Sequence, residues 1–94
     1  MPRSMAVIAT PHASRYLQQL CKHWSHKFAV RFDATCGHVP LPSGTADLAA
    51  GDMALTVTCE APEEALARLQ EVVAEHLRRF AFREGELNFD WRRV

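Results

Sequence analysis

The chain has 94 residues, which is enough for one domain but not for two. Hydrophobic residues make up 48% of it, which argues against disorder, and 11 basic side chains balance 11 acidic ones, which gives no general attraction to nucleic acid. No run of about 18 apolar residues is present, so the sequence predicts no segment that spans a membrane.

The first part of the chain predicts a buried strand followed by an amphipathic helix. Residues 5–9 form a short apolar run that is typical of a buried strand. Thr10 suits the N-cap of a helix and Pro11 suits its first position. Apolar residues then recur at spacings of three and four as far as Trp24, so we expect one helix that ends near residues 25–26.

The middle of the chain predicts antiparallel strands. Residues 28–34 and 53–59 alternate between apolar and polar side chains, as half-buried strands do. Residues 38–41 are expected to form a short strand at a sheet edge, because Pro40 cannot donate a hydrogen bond to a neighbour. Residues 45–50 fit either a strand or a loop.

The last part of the chain predicts a second helix and a final strand. Pro62 suits the first helical position, and an apolar stripe continues from there to Phe80. Gly85 suits the residue just past the end of this helix. Residues 87–91 alternate and predict a last strand.

These elements predict a fold with the order β-α-β-β-β-α-β. Both helices and the antiparallel strands are apolar on one side, so residues 1–94 are expected to form a single α+β domain. The economical packing is a two-layer sandwich with both helices on one face of a mostly antiparallel sheet. The other sheet face would carry Arg31 and Thr56 and would face water or a partner.

The cysteines indicate a reducing compartment. The chain has an odd number of cysteines, Cys21, Cys36 and Cys59, and no CxxC motif. Reduced thiols are therefore favoured over disulfides. The N-terminal residues lack the apolar run of a signal peptide. We therefore expect a cytoplasmic protein.

A polar stripe on the first helix is the main candidate site. On a helical wheel, five side chains fall within about 80° of one another and a sixth flanks them. The six residues are His12, Arg15, Gln19, Lys22, His23 and His26. Imidazole and guanidinium groups on one ridge suit a small anion or a metal chelate, and protonation of histidine would strengthen binding as the pH falls toward 6. The alternative is an ordinary solvated face.

An intrinsic metal site is not predicted. His23 and His26 are close enough in sequence to share a metal, but His12 is too far along the helix to be a further ligand. Cys36 or His38 would contribute only if the fold brought them near. The sequence therefore predicts no metal and no cofactor.

Other candidate residues have plainer interpretations. His76 lies beside Val72 at the border of an apolar stripe, which favours a half-buried, hydrogen-bonded histidine over a ligand. Cys36 lies beside Gly37 in a predicted turn, so an exposed thiol acting with a nearby histidine is an alternative function. A structural subunit that pairs through its sheet face is another. No catalytic or nucleotide-binding motif is present.

Two segments resemble a known family. The strings KHWSHK (residues 22–27) and HLRRFAFRE (residues 76–84) are similar to the signature stretches of the bacterial domain of unknown function 2218, and the resemblance covers nearly the whole chain. It implies a small bacterial domain without an assigned activity, associated at times with siderophore-interacting and iron-uptake proteins. A ferric chelate and a siderophore-interacting protein are then the implied ligand and partner. The matched polar positions are His12, Arg15, Lys22, His23, His26, His76, Arg79, Arg83 and Glu84.

The leading hypothesis is therefore a binding or accessory module rather than an enzyme. Its ligand would be a small anion or a ferric chelate, with Arg15, His23 and His26 at the site.

Overall fold

The computed structural model describes residues 1–84 and 87–94, so the predicted role of Gly85 lies outside the described residues. The strands and helices occur in the predicted order, with one additional strand. They are β1 (Arg3–Ala9), α1 (Ala13–Trp24), β2 (Arg31–Phe32), β3 (Cys36–Leu41), β4 (Gly44–Ala50), β5 (Ala54–Glu60), α2 (Glu63–Phe80), a 3₁₀ turn (Phe82–Glu84) and β6 (Arg92–Arg93).

The strands form one antiparallel sheet with the order β2-β3-β4-β5-β1-β6. Alternate residues of β1 and β5, such as Ile8 and Val57, are buried under the helices, whereas Val7 on the other face is 57% exposed. Helix α1 packs on β3, β4 and β5, and α2 packs on β4, β5 and α1. The predicted α+β sandwich with both helices on one face is confirmed.

The core lies between this sheet face and the two helices. Leu17, Leu20 and Cys21 of α1 are fully buried, as are Val73 and Leu77 of α2. Burial of one such leucine contributes about 1.5–3 kcal/mol, so the apolar stripes rather than helix propensity hold the helices in place. Tyr16 and Trp24 also belong to the core, at 4% and 6% exposed.

A glycine lets α1 approach the sheet closely. Gly37 of β3 faces α1, and a Cβ atom at this position would lie 2.6 Å from Sγ of Cys21. Since no ordinary Cβ contact is that short, a side chain here would push α1 away from β3.

The predicted strand over 28–34 is reduced to the two residues of β2. On its N-terminal side, Phe28 and Val30 follow a turn and still pack against the core, which explains the alternation without strand pairing. On its C-terminal side, Asp33 caps a turn by accepting hydrogen bonds from the backbone N–H groups of Thr35 and Cys36. These two hydrogen bonds hold the pKa of the Asp33 carboxyl below its usual range, and the one from Thr35 is the larger cause.

Two further expectations about the strands need correction. Residues 44–50 are a full strand, so the observed order is β-α-β-β-β-β-α-β and β3 lies between β2 and β4 instead of at the edge. Pro40 nevertheless has no β2 residue opposite it. Its lack of an N–H group therefore leaves no hydrogen-bond acceptor of β2 without a donor. The last pairing is formed by β6 rather than by 87–91, because Leu87 and Trp91 pack against the core without joining the sheet.

The start of α1 also differs from the prediction. His12 occupies the N-cap position, and α1 begins at Ala13 instead of directly after Thr10. The hydroxyl of Thr10 accepts a hydrogen bond from the backbone N–H of His12, so it satisfies a donor just before the helix. Among the described residues, none of the helices is long and apolar enough to cross a membrane.

Candidate functional site

The six residues of the predicted stripe are distributed over different surroundings. Arg15, Gln19 and Lys22 line a cavity of about 490 Å³ beside Phe32 of β2. His23 and His26 line a separate cleft on the side of α1 that faces α2. The β2 edge flanks one side of the stripe and α2 the other, so the ridge seen on a helical wheel is divided.

We call the second of these the imidazole cleft. It has a volume of about 390 Å³ and is lined by His23, Trp24, His26, Lys27, Phe28 and His76. The rings of His23 and His76 have centroids 5.4 Å apart, and the ring of Trp24 lies 4.9 Å from that of His76. The cleft therefore combines aromatic walls with three imidazole groups.

The turn after α1 builds one side of the imidazole cleft. The chain makes one further turn beyond Trp24, because the backbone N–H groups of Lys27 and Phe28 both donate to the carbonyl of Trp24, at 3.0 Å. Phe28 thus comes four residues after Trp24 in a helical turn, and this spacing places the two aromatic rings on the same side of the turn. His26 and Lys27 lie at the exposed rim of this turn.

His76 supplies the imidazole from the opposite helix. Its Nδ1 lies 2.8 Å from the carbonyl oxygen of Val72, and a carbonyl only accepts, so Nδ1 carries a hydrogen. This fixes the ring and leaves Nε2 for a ligand, which is the usual arrangement of a histidine with a supporting hydrogen bond. The half-buried, hydrogen-bonded state predicted from the sequence is observed, and the same ring also lines the cleft.

The electrostatic character of the imidazole cleft is neutral to positive. Lys27 carries a full positive charge, and no acidic side chain lines the cleft in the part of the chain that the structure describes. Arg79 is paired with Glu75 at 3.1 Å on the exposed side of α2, and the guanidinium of Arg83 lies over the ring of Phe82. These two arginines, candidates from the sequence, are therefore occupied elsewhere.

His12 belongs to a third environment, a carboxylate clamp near Glu84. Glu84 accepts hydrogen bonds from the hydroxyls of Thr10 and Tyr16, at 2.6 and 2.5 Å. These bonds, and to a lesser extent the nearby His12, hold the pKa of the Glu84 carboxyl below its usual range. Burial, reinforced by the bond to Glu84, raises the pKa of Tyr16 to about 12. The clamp ties the 3₁₀ turn after α2 to the start of α1.

The open face of the sheet holds Cys36 and His38, the remaining candidates. They line a cavity of about 520 Å³ together with Arg31 and Asp47. Nδ1 of His38 lies 2.6 Å from Oδ1 of Asp47, its direct cross-strand partner, so the carboxylate orients the imidazole. Cys36 is exposed and precedes His38 by two residues on the same face of β3. No group of three or more possible metal ligands occurs within residues 1–84 and 87–94.

The comparisons with known proteins identify the family. The model of a family described as "Uncharacterized protein conserved in bacteria (DUF2218)" matches residues 5–92. The chain belongs to this family. Its fold is also similar to the NMR structure of PA4090 from Pseudomonas aeruginosa, at 36% sequence identity and a TM-score of 0.82, over 98% of this chain and 96% of that one. No curated protein matches this DUF2218 member.

Proposed function

We propose that this protein is a binding module, accessory to iron uptake, that holds a small anionic ferric chelate in the imidazole cleft. The observation that carries the proposal is the cleft's composition: His23, His26, His76 and Lys27 line it, and no acidic side chain does so among the described residues. Arg15 lines the neighbouring cavity, so we assign the site to the three histidines instead.

The chemistry of such a ligand suits these groups. Ferric chelates of carboxylates and catecholates present negatively charged oxygens, which form strong hydrogen bonds with protonated imidazole and with the ammonium of Lys27. Flat organic groups pack well on the rings of Trp24 and Phe28. The three unpaired cysteines fit the reducing cytoplasm as the place of action.

A melting experiment tests the proposal. Ferric citrate and ferric 2,3-dihydroxybenzoate are added to the wild type and to a His23→Ala/His26→Ala variant, and the iron-free acids are added in parallel. A ligand at 100 times its Kd stabilises the folded state by about 2.7 kcal/mol, a rise of more than about 10 °C for a domain of this size.

The controls separate the cleft from general effects. His38→Ala removes an imidazole from the opposite sheet face and should keep the full ligand-induced rise. The double variant should lose it while melting normally without ligand, because both histidines are exposed. If neither ferric chelate raises the melting temperature of the wild type, the proposal is wrong.

A second candidate, a thiol-dependent activity, rests on the open-face cavity. Asp47 holds the ring of His38, and the exposed Cys36 lies on the same face. A histidine positioned in this way acts as a base toward a thiol in many enzymes. Alkylation by iodoacetamide at pH 7 decides: a Cys36 that reacts faster than free cysteine, and slows in His38→Ala, supports the activity, whereas equal rates remove it.

A further inference from the structure

A second, apolar cleft adjoins the imidazole cleft at Trp24 and Phe28. This apolar cleft has a volume of about 270 Å³ and is lined by Trp24, Phe28, Leu41, Pro42, Ser43, Arg68, Leu69 and Val72. The two aromatic residues thus contact both clefts. The imidazole cleft offers charge and hydrogen-bond donors, and its neighbour offers mainly hydrocarbon surface.

We infer that the ligand of this protein is amphiphilic, with an anionic head in the imidazole cleft and an apolar arm that crosses Trp24 and Phe28 into the apolar cleft. The inference rests on the proposed function, since it describes the ligand of the same site. Small-molecule sites typically occupy about 300–1,000 Å³, are mostly apolar and contain a few polar groups. The two clefts match that description together, with the polar groups at one end.

The walls of the apolar cleft determine the chemistry of the arm. Leu41, Leu69 and Val72 cannot form side-chain hydrogen bonds, so a polar group that lies against these three residues would lose its water without compensation. A cationic arm is disfavoured as well, because Arg68 is the charged residue of this cleft and no carboxylate lines it within the described ranges. An aliphatic or aromatic arm therefore fits most of this lining, in which Ser43 and Arg68 are the polar residues.

Butanoate, hexanoate and octanoate are suitable probes, because they share one carboxylate and differ only in the length of the arm. Trp24 provides the readout, since this residue lines both clefts. Trp91, which stacks on Phe89, is replaced by phenylalanine so that the fluorescence comes from Trp24 alone. Each methylene that becomes fully buried should tighten binding about fourfold.

Two variants test the two ends of the site separately. Val72→Gln makes the apolar cleft polar, so the three probes should bind with nearly equal affinity, close to that of butanoate for the Trp91→Phe protein. Val7→Gln is the matched control, because the same change on the open sheet face should leave the dependence on chain length intact. His23→Ala should weaken all three probes by a similar factor.

The outcomes distinguish this inference from the proposed function. Equal affinities for the three carboxylates in the Trp91→Phe protein, or no binding of any of them, overturn the amphiphilic ligand even if ferric chelates raise the melting temperature. The opposite result is also informative. If affinity increases with chain length but ferric chelates do not change the melting temperature, the ligand is an amphiphilic anion and is not a ferric chelate. The series in the Trp91→Phe protein decides the inference even if Val72→Gln fails to fold.

Discussion

Replacing Gly37 by alanine tests how closely α1 is seated on the sheet. The new Cβ would lie 2.6 Å from Sγ of Cys21 and 3.4 Å from Cδ2 of Leu17. The first distance is about 0.8 Å shorter than an ordinary contact, and Cys21 and Leu17 are both fully buried. Overpacking of this kind costs about 1–3 kcal/mol, because strand and helix must separate.

Thermal and urea unfolding measure this cost. For a domain of fewer than 100 residues, the expected loss lowers the melting temperature by roughly 4–20 °C. Gly51→Ala is the matched control, since its Cβ meets its nearest atom, the Ala54 carbonyl oxygen, at an ordinary 3.6 Å. That variant should be unchanged or slightly more stable, because alanine restricts the unfolded chain.

A second substitution tests the named contact itself. Cys21→Ala removes the sulfur atom that the new methyl group meets, so the Gly37→Ala/Cys21→Ala protein should be more stable than Gly37→Ala alone. The two changes would then be non-additive, as expected for residues in contact. Gly37→Ala could instead melt at the same temperature as Gly51→Ala, or Cys21→Ala could fail to restore its stability. Either result would show that the close packing of α1 on β3 is not what excludes a side chain at residue 37.

Three other predictions concern the titratable groups of the fold. Native protein treated with an alkylating reagent should be modified at the exposed Cys36, because burial raises the pKa of Cys21 to about 11 and that of Cys59 to about 12. Mass spectrometry measures the labelling, and equal rates at all three cysteines would contradict this prediction. The pKa of the Glu84 carboxyl is lowered in the fold, so its stabilising effect is complete above its ordinary value of 4.5 and is lost as the pH falls through the lower folded value. The wild type should therefore be more stable than Glu84→Gln at pH 6, and urea titrations should show the difference shrinking as the pH falls below 4.5, whereas a constant difference would contradict the clamp. In Tyr16→Phe, the NMR titration of Glu84 should move toward the ordinary value, because one of its hydrogen bonds is missing.

Periodicity predicted the fold where burial and backbone pairing coincide. The two helices and the strand Ala54–Glu60 were located within a few residues, since their apolar positions follow the period of the element. The same signal was misleading over 28–34 and 87–91. There Phe28 and Trp91 alternate with polar neighbours and pack against the core, but most of the backbone has no strand partner. Alternation reports burial, and it does not report hydrogen bonding.

The candidate site was predictable only in part. The sequence placed His23 and His26 on a side of α1 that is free of acidic residues, and both are exposed, His23 on α1 and His26 in the turn that follows it. A helical wheel contains no neighbouring elements, however, so it could not show that Arg15 would lie beside β2 while the two histidines lie toward α2. The third imidazole, from His76, comes from the other helix. Its position depends on how the helices pack, which the spacing within either helix does not determine.

Backbone hydrogen bonds and the core fix part of the imidazole cleft, namely the turn after α1 and the rings of Trp24 and His76. The turn that carries Lys27 and Phe28 is closed on the carbonyl of Trp24, and the ring of His76 is held by the carbonyl of Val72. Trp24 is itself 6% exposed, so one wall of the cleft is also part of the core. A ligand would then meet the rings of Trp24 and His76 in conformations that are already restricted, which reduces the entropy lost on binding. For the same reason, substitution of Trp24 would confuse stability with affinity, and the exposed histidines are the better residues for testing the site.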